Sequence, residues 1–376
     1  MKLHTVAITA NTSWYIYNFR KNTIKALLNS DYKVVILSPS DEYSDKLIEL
    51  GCDHFNIMID KGGTNPVKDL LTFYFFYTLY RRLGVSVVLN FTPKNNIYST
   101  LAAKLNKIKV INNIAGLGAV FIKNDLLTKF VKFLYKFSQS KADFVFFQNQ
   151  EDYKLFQDSH IVLKNSAVLP GSGVDLDRFA LSVAPDDGNV VFSLVARMLI
   201  DKGVYEYAEA AKTLKRKYGD SVKFQLIGFL DESNSRSVSK QKVDAWVQDG
   251  FIQYLGKTDN VEFILKSTDC IVLPSFYREG VPKSLLEGAA MGKPIVTTNN
   301  VGCRDTVDDG VNGYLCKPGS ADDLTFKMEA IINLSHSERI AMGIKGREKV
   351  TAQFDERIVI DNYLVQIKNL LKNTWE

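Results

Sequence analysis

The chain has 376 residues and a mass of 42.4 kDa, with 46% hydrophobic and 24% charged residues. This length favours two domains of about 150–200 residues each, and the composition excludes intrinsic disorder. The formal net charge of +5 is well short of what a dedicated nucleic-acid-binding protein carries, but it suits a phosphate-bearing ligand or an anionic lipid surface.

The cysteines and the apolar runs limit the class of protein further. Four single cysteines without paired spacing, Cys52, Cys270, Cys303 and Cys316, predict reduced structural thiols rather than a zinc site or a disulfide framework. No stretch reaches the roughly 18–20 apolar residues that span a bilayer, and the apolar N-terminal run, which breaks at Asn11, is too short for a signal peptide. We therefore expect a cytoplasmic or peripheral protein.

Short β-branched runs alternate with longer helical patterns through both halves, which is typical of parallel sheets built from βαβ units. In the first half we expect strands at 6–9, 33–38, 85–90, 109–113, 144–148 and 167–170. In the second half we expect them at 190–196, 223–228, 252–255, 269–274, 294–297 and 313–316. The fold class is therefore α/β, with two doubly wound domains.

The domain boundary is expected in a polar stretch with proline and glycine, residues 182–189, which suits an interdomain linker. This gives an N-terminal domain at 1–182 and a C-terminal domain at 183–354. The amphipathic helix at 355–376 follows the final helix of the second domain, and we expect it to pack back on the first domain.

Two segments of the first half are rich in aromatic and basic residues. Within residues 123–137, helical spacing separates an apolar stripe from three lysines: Leu127, Phe130, Val131, Leu134 and Phe137 against Lys129, Lys132 and Lys136. Such a helix can lie in a lipid headgroup layer, but a core-packed helix with solvated lysines gives the same pattern. Residues 70–82 add aromatic density that ends in two arginines, and together the segments favour peripheral attachment to an anionic membrane surface.

Residues 269–296 carry the strongest chemical signal. A buried strand runs into a loop, a helix begins near Pro282, and a second strand follows Gly292-Lys293-Pro294. A proline in the first helical turn leaves free amides near Ser284 and Leu285 pointing out of the helix start, where the helix dipole favours an anion.

Two glutamates flank this helix start eight positions apart, Glu279 in the loop and Glu287 in the helix. They could contact opposite ends of one ligand that lies across the helix start. The alternative is a capping acid and a solvated helix residue. For Glu287 that alternative is disfavoured, because the neighbouring positions 285, 286, 289 and 290 are apolar and are expected to be buried.

The spacing of Glu279 and Glu287 resembles the E-x7-E arrangement of retaining glycosyltransferases with the GT-B fold. The surrounding Leu-Pro-Ser, Arg-Glu-Gly, Leu-Leu-Glu-Gly and Gly-Lys-Pro, in that order, resemble glycosyltransferase family 4, and the similarity extends over nearly the whole chain. The resemblance implies two Rossmann-like domains facing across a cleft, and a metal-independent, retaining transfer from a nucleotide-sugar donor to an acceptor.

By the same resemblance, Arg197 and Lys202 grip the donor diphosphate, Glu287 holds the ribose hydroxyls and Glu279 holds the transferred sugar. Without a metal, cations and helix-end amides must neutralise the departing diphosphate. Arg197, Lys202 and Glu279 are the predicted catalytic residues. A surface ion pair with an acidic neighbour, Asp201 or Glu206, is the less favoured alternative for the two cations, because both flank the carboxyl end of a strand. The other implied donor contacts are Gly280, Val281, Ser284, Leu285, Gly256, Lys257 and Ser13.

The segment 170–179 resembles the family's Pro-x-Gly-Val-Asp-x-x-x-Phe pattern, with one additional residue between the proline and the glycine. Its Asp175-x-Asp177 is a loop-and-turn element in this family, and no histidine or further carboxylate cluster accompanies it. We therefore predict no metal site.

The first loop, residues 10–20, resembles the branch of family 4 that builds lipid-linked bacterial polysaccharides. Many members have a glycine pair where this chain has residues 11–13, Asn-Thr-Ser. Arg20 either meets an acceptor phosphate or caps a helix face, and both interpretations stay open. Within 112–118, many relatives carry a histidine where Ala115 stands, and Asn113 is the candidate polar substitute.

The resemblance implies a UDP-sugar donor, with an N-acetylhexosamine (GalNAc or GlcNAc) as the leading sugar and no cofactor. The implied acceptor is a polyprenyl-diphosphate-linked saccharide in bacterial surface polysaccharide or glycan assembly, at the inner face of the plasma membrane. A GT-B-like UDP-sugar epimerase would instead turn over UDP-sugar without an acceptor. A non-catalytic nucleotide-sugar-binding protein would bind without turnover, and the intact set of Glu279, Glu287, Arg197 and Lys202 argues against it.

Overall fold

The structure is a computed structural model that describes residues 3–60, 65–116, 126–161, 163–232 and 234–372, with only the backbone described at 126–128. Predictions that involve Leu117, Gly118 or residues 123–125, and the side chain of Leu127, lie outside this description. The chain divides into two compact units. The first comprises residues 1–172 and 357–376, and the second comprises residues 173–356.

The strands described in the first unit are β1 (Thr5–Thr9), β2 (Lys33–Ser38), β3 (Asp53–Asn56), β4 (Val85–Asn90), β5 (Lys109–Ile114), β6 (Phe144–Phe147) and β7 (Ser166–Val168). They form one parallel sheet in the order β3-β2-β1-β4-β5-β6-β7. The order reverses between β1 and β4, so their connections leave in opposite directions and open a crevice at the carboxyl edge.

The described helices of this unit are α1 (Ser13–Asn29), α2 (Ser44–Glu49), α3 (Pro66–Leu83), α4 (Thr100–Leu105), α5 (Leu126–Gln139) and α6 (Gln150–Asp158), with a π-helical turn at Asn95–Ser99. Local chemistry fixes several of their ends. Thr12 caps α1 by accepting from the backbone of Tyr15, and Asn65 followed by Pro66 starts α3. Among the described residues, no helix is long and apolar enough to cross a membrane.

The strands described in the second unit are β8 (Val190–Val195), β9 (Val222–Ile227), β10 (Gln253–Gly256), β11 (Cys270–Leu273), β12 (Ile295–Thr298) and β13 (Gly313–Cys316). They form a second parallel sheet in the order β10-β9-β8-β11-β12-β13, which reverses between β8 and β11. The described helices are α7 (Val204–Tyr218), α8 (Lys240–Gln248), α9 (Val261–Leu265), α10 (Lys283–Ala290), α11 (Ala321–Ile332), α12 (His336–Gln353) and α13 (Glu356–Lys372), the last of which continues into the first unit. The predicted α/β class with two doubly wound domains is confirmed.

The boundary between the units lies about ten residues before the expected one. Residues 173–182, assigned to the first domain by sequence, belong to the second unit. Val174, Leu176 and Phe179 are buried in the core that contains α10, and Val174 donates its N–H to the carbonyl of Phe354 over 2.9 Å. The stretch 182–189, expected to be the interdomain linker, lies within the second unit, because the apolar residues before it are buried in the core of that unit.

The C-terminal residues 357–376 form part of the first unit. Val359, Tyr363, Ile367 and Leu371 repeat at helical spacing along α13 and are buried with residues of β1, β2 and β4. One strand, β3, is not predicted by the sequence. Its four residues, Asp-His-Phe-Asn, contain no β-branched run because it is an edge strand that pairs only with β2.

Candidate active site

The carboxyl edge of the second sheet gathers most of the predicted donor residues. After β8 the chain passes Arg197 and makes a 3₁₀ turn at Ile200–Lys202 before α7 begins. Gly203 ends this turn with a left-handed φ of 75°, and a Cβ there would lie 2.2 Å from the carbonyl oxygen of Pro274. The missing side chain therefore lets the Lys202 turn lie directly against the loop that follows β11.

Lys202 and Glu279 form the centre of the site. The Lys202 ammonium donates to Oε1 of Glu279, and the Ser275 hydroxyl lies 2.8 Å from the same oxygen. The two charged side chains are only 15% and 12% exposed. The structure thus brings together a cation and a carboxylate that lie far apart in sequence, in a place where water screens their charges poorly.

The alternative ion pair for Lys202 is wrong, because its partner is Glu279 and Asp201 is bound by another cation. Arg236 donates to Oδ2 of Asp201 over 3.0 Å, and its guanidinium lies 6.0 Å from the centre of the Tyr277 ring. Neither Arg236 nor Tyr277 is among the site residues predicted from the sequence. The available signal for Arg236 is its place in the loop after β9, at the carboxyl edge where the other site residues lie.

Arg197 is exposed and lies near the same ring. Burial raises the pKa of Tyr277, and the charges of Arg236 and Arg197 oppose that rise. The ammonium of Lys202 lies 5.7 Å from the ring centre. Lys202 and Arg236 therefore both lie close to Tyr277, which belongs to the same loop as Glu279.

The start of α10 follows this loop. Pro282 is the N-cap, in an extended conformation, and its carbonyl accepts the N–H groups of Leu285 and Leu286 at 3.2 and 3.4 Å. The prediction of a free amide at Leu285 is therefore wrong, because Pro282 already binds it. The amide of Ser284, one residue earlier, belongs to the first turn of α10, where backbone N–H groups point out of the helix start.

The loop itself, including Gly280 and Val281, is held by a close backbone contact. A Cβ on Gly302, whose φ is 76°, would lie 2.0 Å from the carbonyl oxygen of Gly280. Val281 is buried in the core that contains α10. Glu279 and the helix start are therefore fixed relative to each other within the second unit.

Glu287 lies on α10 between the buried Leu286 and Gly288 and keeps only partial access to solvent. Burial raises its pKa to about 7, a rise that Lys283 and Arg178 oppose and Glu262 supports. Because the side chain is only partly accessible, the alternative of a freely solvated helix residue is disfavoured. Gly256 and Lys257 lie farther along the sheet edge, at the end of β10, and their donor contact stays a prediction.

Ser13 lies in the first unit with its hydroxyl group buried. Its Oγ is 2.9 and 3.0 Å from the hydroxyls of Ser38 and Ser44 and 3.2 Å from Nε2 of His54. These contacts occupy the side chain, so the predicted donor contact of the Ser13 hydroxyl is not supported. The serine instead connects the start of α1 with the end of β2, the start of α2 and strand β3.

Arg20 and Asn113 are also in the interior of the first unit. The Arg20 guanidinium lies 4.2 Å from the Phe91 ring centre and donates to the Ser172 hydroxyl over 3.1 Å. The Asn113 amide donates to the carbonyl of Asn90 and accepts from the Tyr363 hydroxyl over 2.6 Å. Arg20 therefore does not cap a helix face at the surface, and an acceptor contact of either residue stays a prediction.

The helix α5 does not have the apolar stripe expected from its sequence. Val131 and Leu134 pack toward the core, but the side chains of Phe130, Phe133 and Phe137 are 57%, 61% and 48% exposed. These three rings lie with the exposed Lys129 and Lys136 on what we call the basic aromatic face, and Lys132 lies partly buried on the same helix. The core-packed alternative is therefore wrong for the three phenylalanines.

The Asp175-x-Asp177 triplet forms a turn, as predicted. Oδ1 of Asp175 accepts the N–H groups of Asp177 and Arg178 at 3.1 and 2.9 Å. Over the described residues, no group of three or more histidine, cysteine or acidic side chains is arranged so that it could hold a metal ion. The four cysteines are free and buried.

Two family models match consecutive parts of the chain. The one described as "Glycosyl transferase 4-like" matches residues 5–149, and "Glycosyl transferases group 1" matches residues 177–349. Together they cover most of both units and include the Lys202–Glu279 pair and the start of α10. The chain therefore belongs to the group 1, family 4-like glycosyltransferases, and it is a glycosyltransferase.

One relative shares this similarity over nearly its full length, and another shares it over about two thirds of its length. The chain is 28% identical to the N,N'-diacetylbacillosaminyl-diphospho-undecaprenol alpha-1,3-N-acetylgalactosaminyltransferase of Campylobacter jejuni, covering 95% of this chain and 96% of the relative. It is 25% identical to the UDP-Gal:alpha-D-GlcNAc-diphosphoundecaprenol alpha-1,3-galactosyltransferase of Escherichia coli, over 68% of each chain.

Solved structures share the fold at lower identity. A glycosyltransferase from Rickettsia africae matches with a TM-score of 0.77 and 18% identity, over 99% of this chain and all of the other. HepE from Anabaena, solved with UDP and glucose, matches with a TM-score of 0.78 and 14% identity, over 97% of this chain and 99% of the other.

Proposed function

We propose that the protein is a retaining hexosyltransferase that moves a sugar from a UDP-sugar to a polyprenyl-diphosphate-linked saccharide. Its product belongs to bacterial surface polysaccharide or glycan assembly, and the leading donor sugar is an N-acetylhexosamine, GalNAc or GlcNAc. The observation that carries the proposal is the largely buried Lys202–Glu279 pair beside the start of α10, with Arg197 and Arg236 close to it.

The chemistry of the transfer follows from the charges at this edge. When the bond between the sugar anomeric carbon and the phosphate oxygen breaks, its electron pair passes to the diphosphate. Lys202 and Arg197, together with the amide region of Ser284, stabilise that charge without a metal ion. The acceptor hydroxyl attacks the anomeric carbon and gives its proton to the departing phosphate oxygen.

Glu279 orients the donor sugar in this proposal. Its Oε1 is already held by Lys202 and Ser275, so the carboxylate suits hydrogen bonding to sugar hydroxyls better than covalent attack. Attack of the acceptor on the same face that the diphosphate leaves then retains the anomeric configuration. Glu287, one turn into α10, accepts hydrogen bonds from the two ribose hydroxyls.

Names of relatives support the substrate class. The Campylobacter relative is named for transfer of N-acetylgalactosamine to a diphospho-undecaprenol substrate, and the Escherichia coli relative is named for a UDP-galactose donor and a diphosphoundecaprenol acceptor. HepE was solved with UDP bound. These names favour UDP as the nucleotide and a polyprenyl diphosphate as the carrier.

A donor screen read by product mass tests the proposal. The protein is incubated with a lipid-diphosphate saccharide and, in turn, UDP-GalNAc, UDP-GlcNAc, UDP-galactose and UDP-glucose, each with Mg²⁺ or with EDTA. We expect the acceptor to gain one N-acetylhexosamine residue, with similar rates in Mg²⁺ and EDTA. A strict metal requirement would contradict the metal-free mechanism. Interconversion of UDP-sugars without acceptor would indicate an epimerase, and binding without turnover would indicate a non-catalytic protein.

We further propose that the protein works as a peripheral protein at the cytoplasmic face of the plasma membrane. The basic aromatic face of α5 combines exposed rings with lysines, which is typical of helices that lie in an anionic headgroup layer. Exposed Leu70 and Tyr74 on α3, with Arg81 and Arg82 at its end, add similar chemistry in the same unit.

Replacing Lys129, Lys132 and Lys136 together with Gln is expected to weaken binding to vesicles with anionic lipid by roughly 30- to 100-fold. Each lysine near such a surface contributes about 1 kcal/mol, and Lys132 contributes less because it is partly buried. Co-sedimentation with vesicles of increasing phosphatidylglycerol content measures the effect. The matched control replaces Lys240, Lys242 and Lys345, exposed lysines of the second unit. An equal loss of vesicle binding in both triple variants would show that the lysines of α5 are ordinary solvated residues.

A further inference from the structure

The loop that follows β9 is tied to the turn that carries Lys202 by backbone contacts. Ile200 donates its N–H to the carbonyl of Arg236 over 2.9 Å. Next to this bond, Leu199 and Ser237 form an antiparallel bridge. The backbone of Arg236 is therefore fixed beside the Lys202 turn, although the two residues lie on loops that follow different strands of the second sheet.

Asp201 anchors the side chain of Arg236. Nη1 of Arg236 donates to Oδ2 of Asp201 over 3.0 Å, and the Asp201 side chain is only 16% exposed. The carbonyl of Asp201 accepts the N–H groups of Phe276 and Tyr277 at 3.1 and 3.2 Å, which fixes Asp201 against the loop that carries Glu279. Oδ1 of Asp201 is buried and has no hydrogen-bond partner among the described residues. Because losing Arg236 would leave this largely buried carboxylate without its cation, the ion pair holds the guanidinium in place.

The anchored guanidinium lies at the same aromatic ring as the ammonium of Lys202. Arg236 is 6.0 Å and Lys202 is 5.7 Å from the centre of the Tyr277 ring. The Arg236 side chain is 55% exposed, and its bond to Asp201 is the only hydrogen bond that the guanidinium makes to the described part of the chain. Since a guanidinium has five N–H donors, most of them remain available to a ligand.

A phosphate group fits these remaining donors. The planar guanidinium binds two oxygens of one phosphate at once, and such charge-assisted hydrogen bonds are stronger than neutral ones. The anchor at Asp201 restricts the long side chain before a ligand arrives, so binding costs less rotamer freedom than it would for a mobile arginine. A diphosphate carries two charged groups, which suits two cations beside one ring.

We propose that Arg236 is a further binding residue of the donor site, which contacts the diphosphate of the donor together with Lys202, and that Asp201 is a positioning residue that holds the guanidinium for this contact. The inference rests on the proposed function, because it assumes a nucleoside diphosphate as the donor's leaving group. It assigns a role to an ion pair that is not among the donor residues predicted from the sequence.

The first test compares Arg236→Met, Arg236→Lys and the control Arg216→Met in the full chain. Arg216 is an exposed arginine in the last turn of α7, and its replacement changes the net charge by the same amount. Calorimetry measures the affinity for UDP and for inorganic pyrophosphate, and ligand-observed NMR measures the weaker binding of uridine.

We expect Arg236→Met to weaken binding of UDP and of pyrophosphate by about tenfold, the lower end for hydrogen bonds to charged groups, because the side chain is half-exposed. Arg236→Lys keeps the charge without the planar fork and should lose about threefold. Arg216→Met should bind all ligands like the wild type. Uridine has no phosphate, so its affinity should be the same in every variant.

A double-mutant cycle tests whether Asp201 acts through Arg236. Asp201→Asn keeps the backbone carbonyl that binds Phe276 and Tyr277 but removes the charge that anchors the guanidinium. It should weaken UDP binding by about threefold in the wild-type background and should not weaken it further in Arg236→Met. A purely structural role would give the same loss in both backgrounds, and that result, or tighter binding in Asp201→Asn, would overturn the positioning role.

Wild-type affinity for UDP and pyrophosphate in Arg236→Met overturns the contact between Arg236 and the diphosphate. An equal loss of uridine binding overturns it as well, because it shows a disturbed fold instead of a lost phosphate contact. If the wild-type protein binds pyrophosphate but not UDP, the proposed UDP donor is wrong, and the pyrophosphate affinities still decide the role of Arg236. Binding of neither ligand contradicts both proposals.

Discussion

Replacing Lys202 with Met is expected to lower the rate of sugar transfer by about 100- to 1,000-fold. Its ammonium contacts Glu279 directly, and removing one preorganised charge from the site of charge development typically costs this much. The substitution also leaves Glu279 largely buried without its cation, so the free energy of unfolding should fall by about 3 kcal/mol. Single-turnover rates with saturating donor, together with urea unfolding, measure the two effects.

The double variant Lys202→Met/Glu279→Gln separates function from stability. Removing both charges leaves no uncompensated carboxylate, so most of the lost stability should return, while transfer stays low. Lys217→Met, which breaks an ion pair elsewhere in the second unit, should leave both properties near wild type. Transfer at a near-normal rate in Lys202→Met would overturn the assignment of the site.

Replacing Glu287 with Gln is expected to have opposite effects on donor binding and on stability. Loss of hydrogen bonds to a charged acceptor, worth about 1.5–3 kcal/mol, should weaken UDP-sugar binding by about 10- to 100-fold. The fold should become more stable at neutral pH, because the variant no longer holds a partly buried charge. Such a trade-off is typical of a residue retained for function.

The pH dependence of the Glu287→Gln effect gives the sharper test. Burial raises the folded-state pKa of Glu287 to about 7 from an ordinary value of 4.5, so the folded protein binds more protons than the unfolded chain between these values. Wild-type stability therefore loses a contribution as pH rises from 4.5 to 7. The stability advantage of Glu287→Gln should grow by about 1–3 kcal/mol over this window and then level off. Urea unfolding of both proteins from pH 4.5 to 8 measures it, and an advantage that does not change with pH would contradict an unfavourable buried charge at Glu287.

The pairing of Glu279 with Lys202 before the donor arrives has a functional consequence. In the proposed mechanism the donor must insert its sugar and diphosphate beside a cation and carboxylate that already satisfy each other. The Ser275 hydroxyl, which also contacts Glu279, keeps the carboxylate in place when Lys202 turns toward phosphate oxygens. The two groups are thus held in position before the reaction, and charge stabilisation needs little rearrangement.

The elements were largely predictable because their signals are local. Each expected strand occurs within two residues of its predicted bounds. A β-branched run between turn residues is a direct indication of a buried parallel strand. The helix start at Pro282 is likewise a property of neighbouring residues. The edge strand β3 could not be predicted in this way, because its four residues contain no β-branched run.

The sequence by itself determined the α/β class, the positions of the strands, the helix start at Pro282 and the E-x7-E spacing that marks the family. Only the tertiary structure decided the ion pairs, in which Lys202 binds Glu279 and Arg236 binds Asp201. It also decided that other hydroxyls contact the buried Ser13 hydroxyl and that Val174 is buried in the core of the second unit. The physical reason is that these contacts join residues of different strands and loops. Which of them meet depends on the strand order, and on the close approach that Gly203 allows between Lys202 and Pro274.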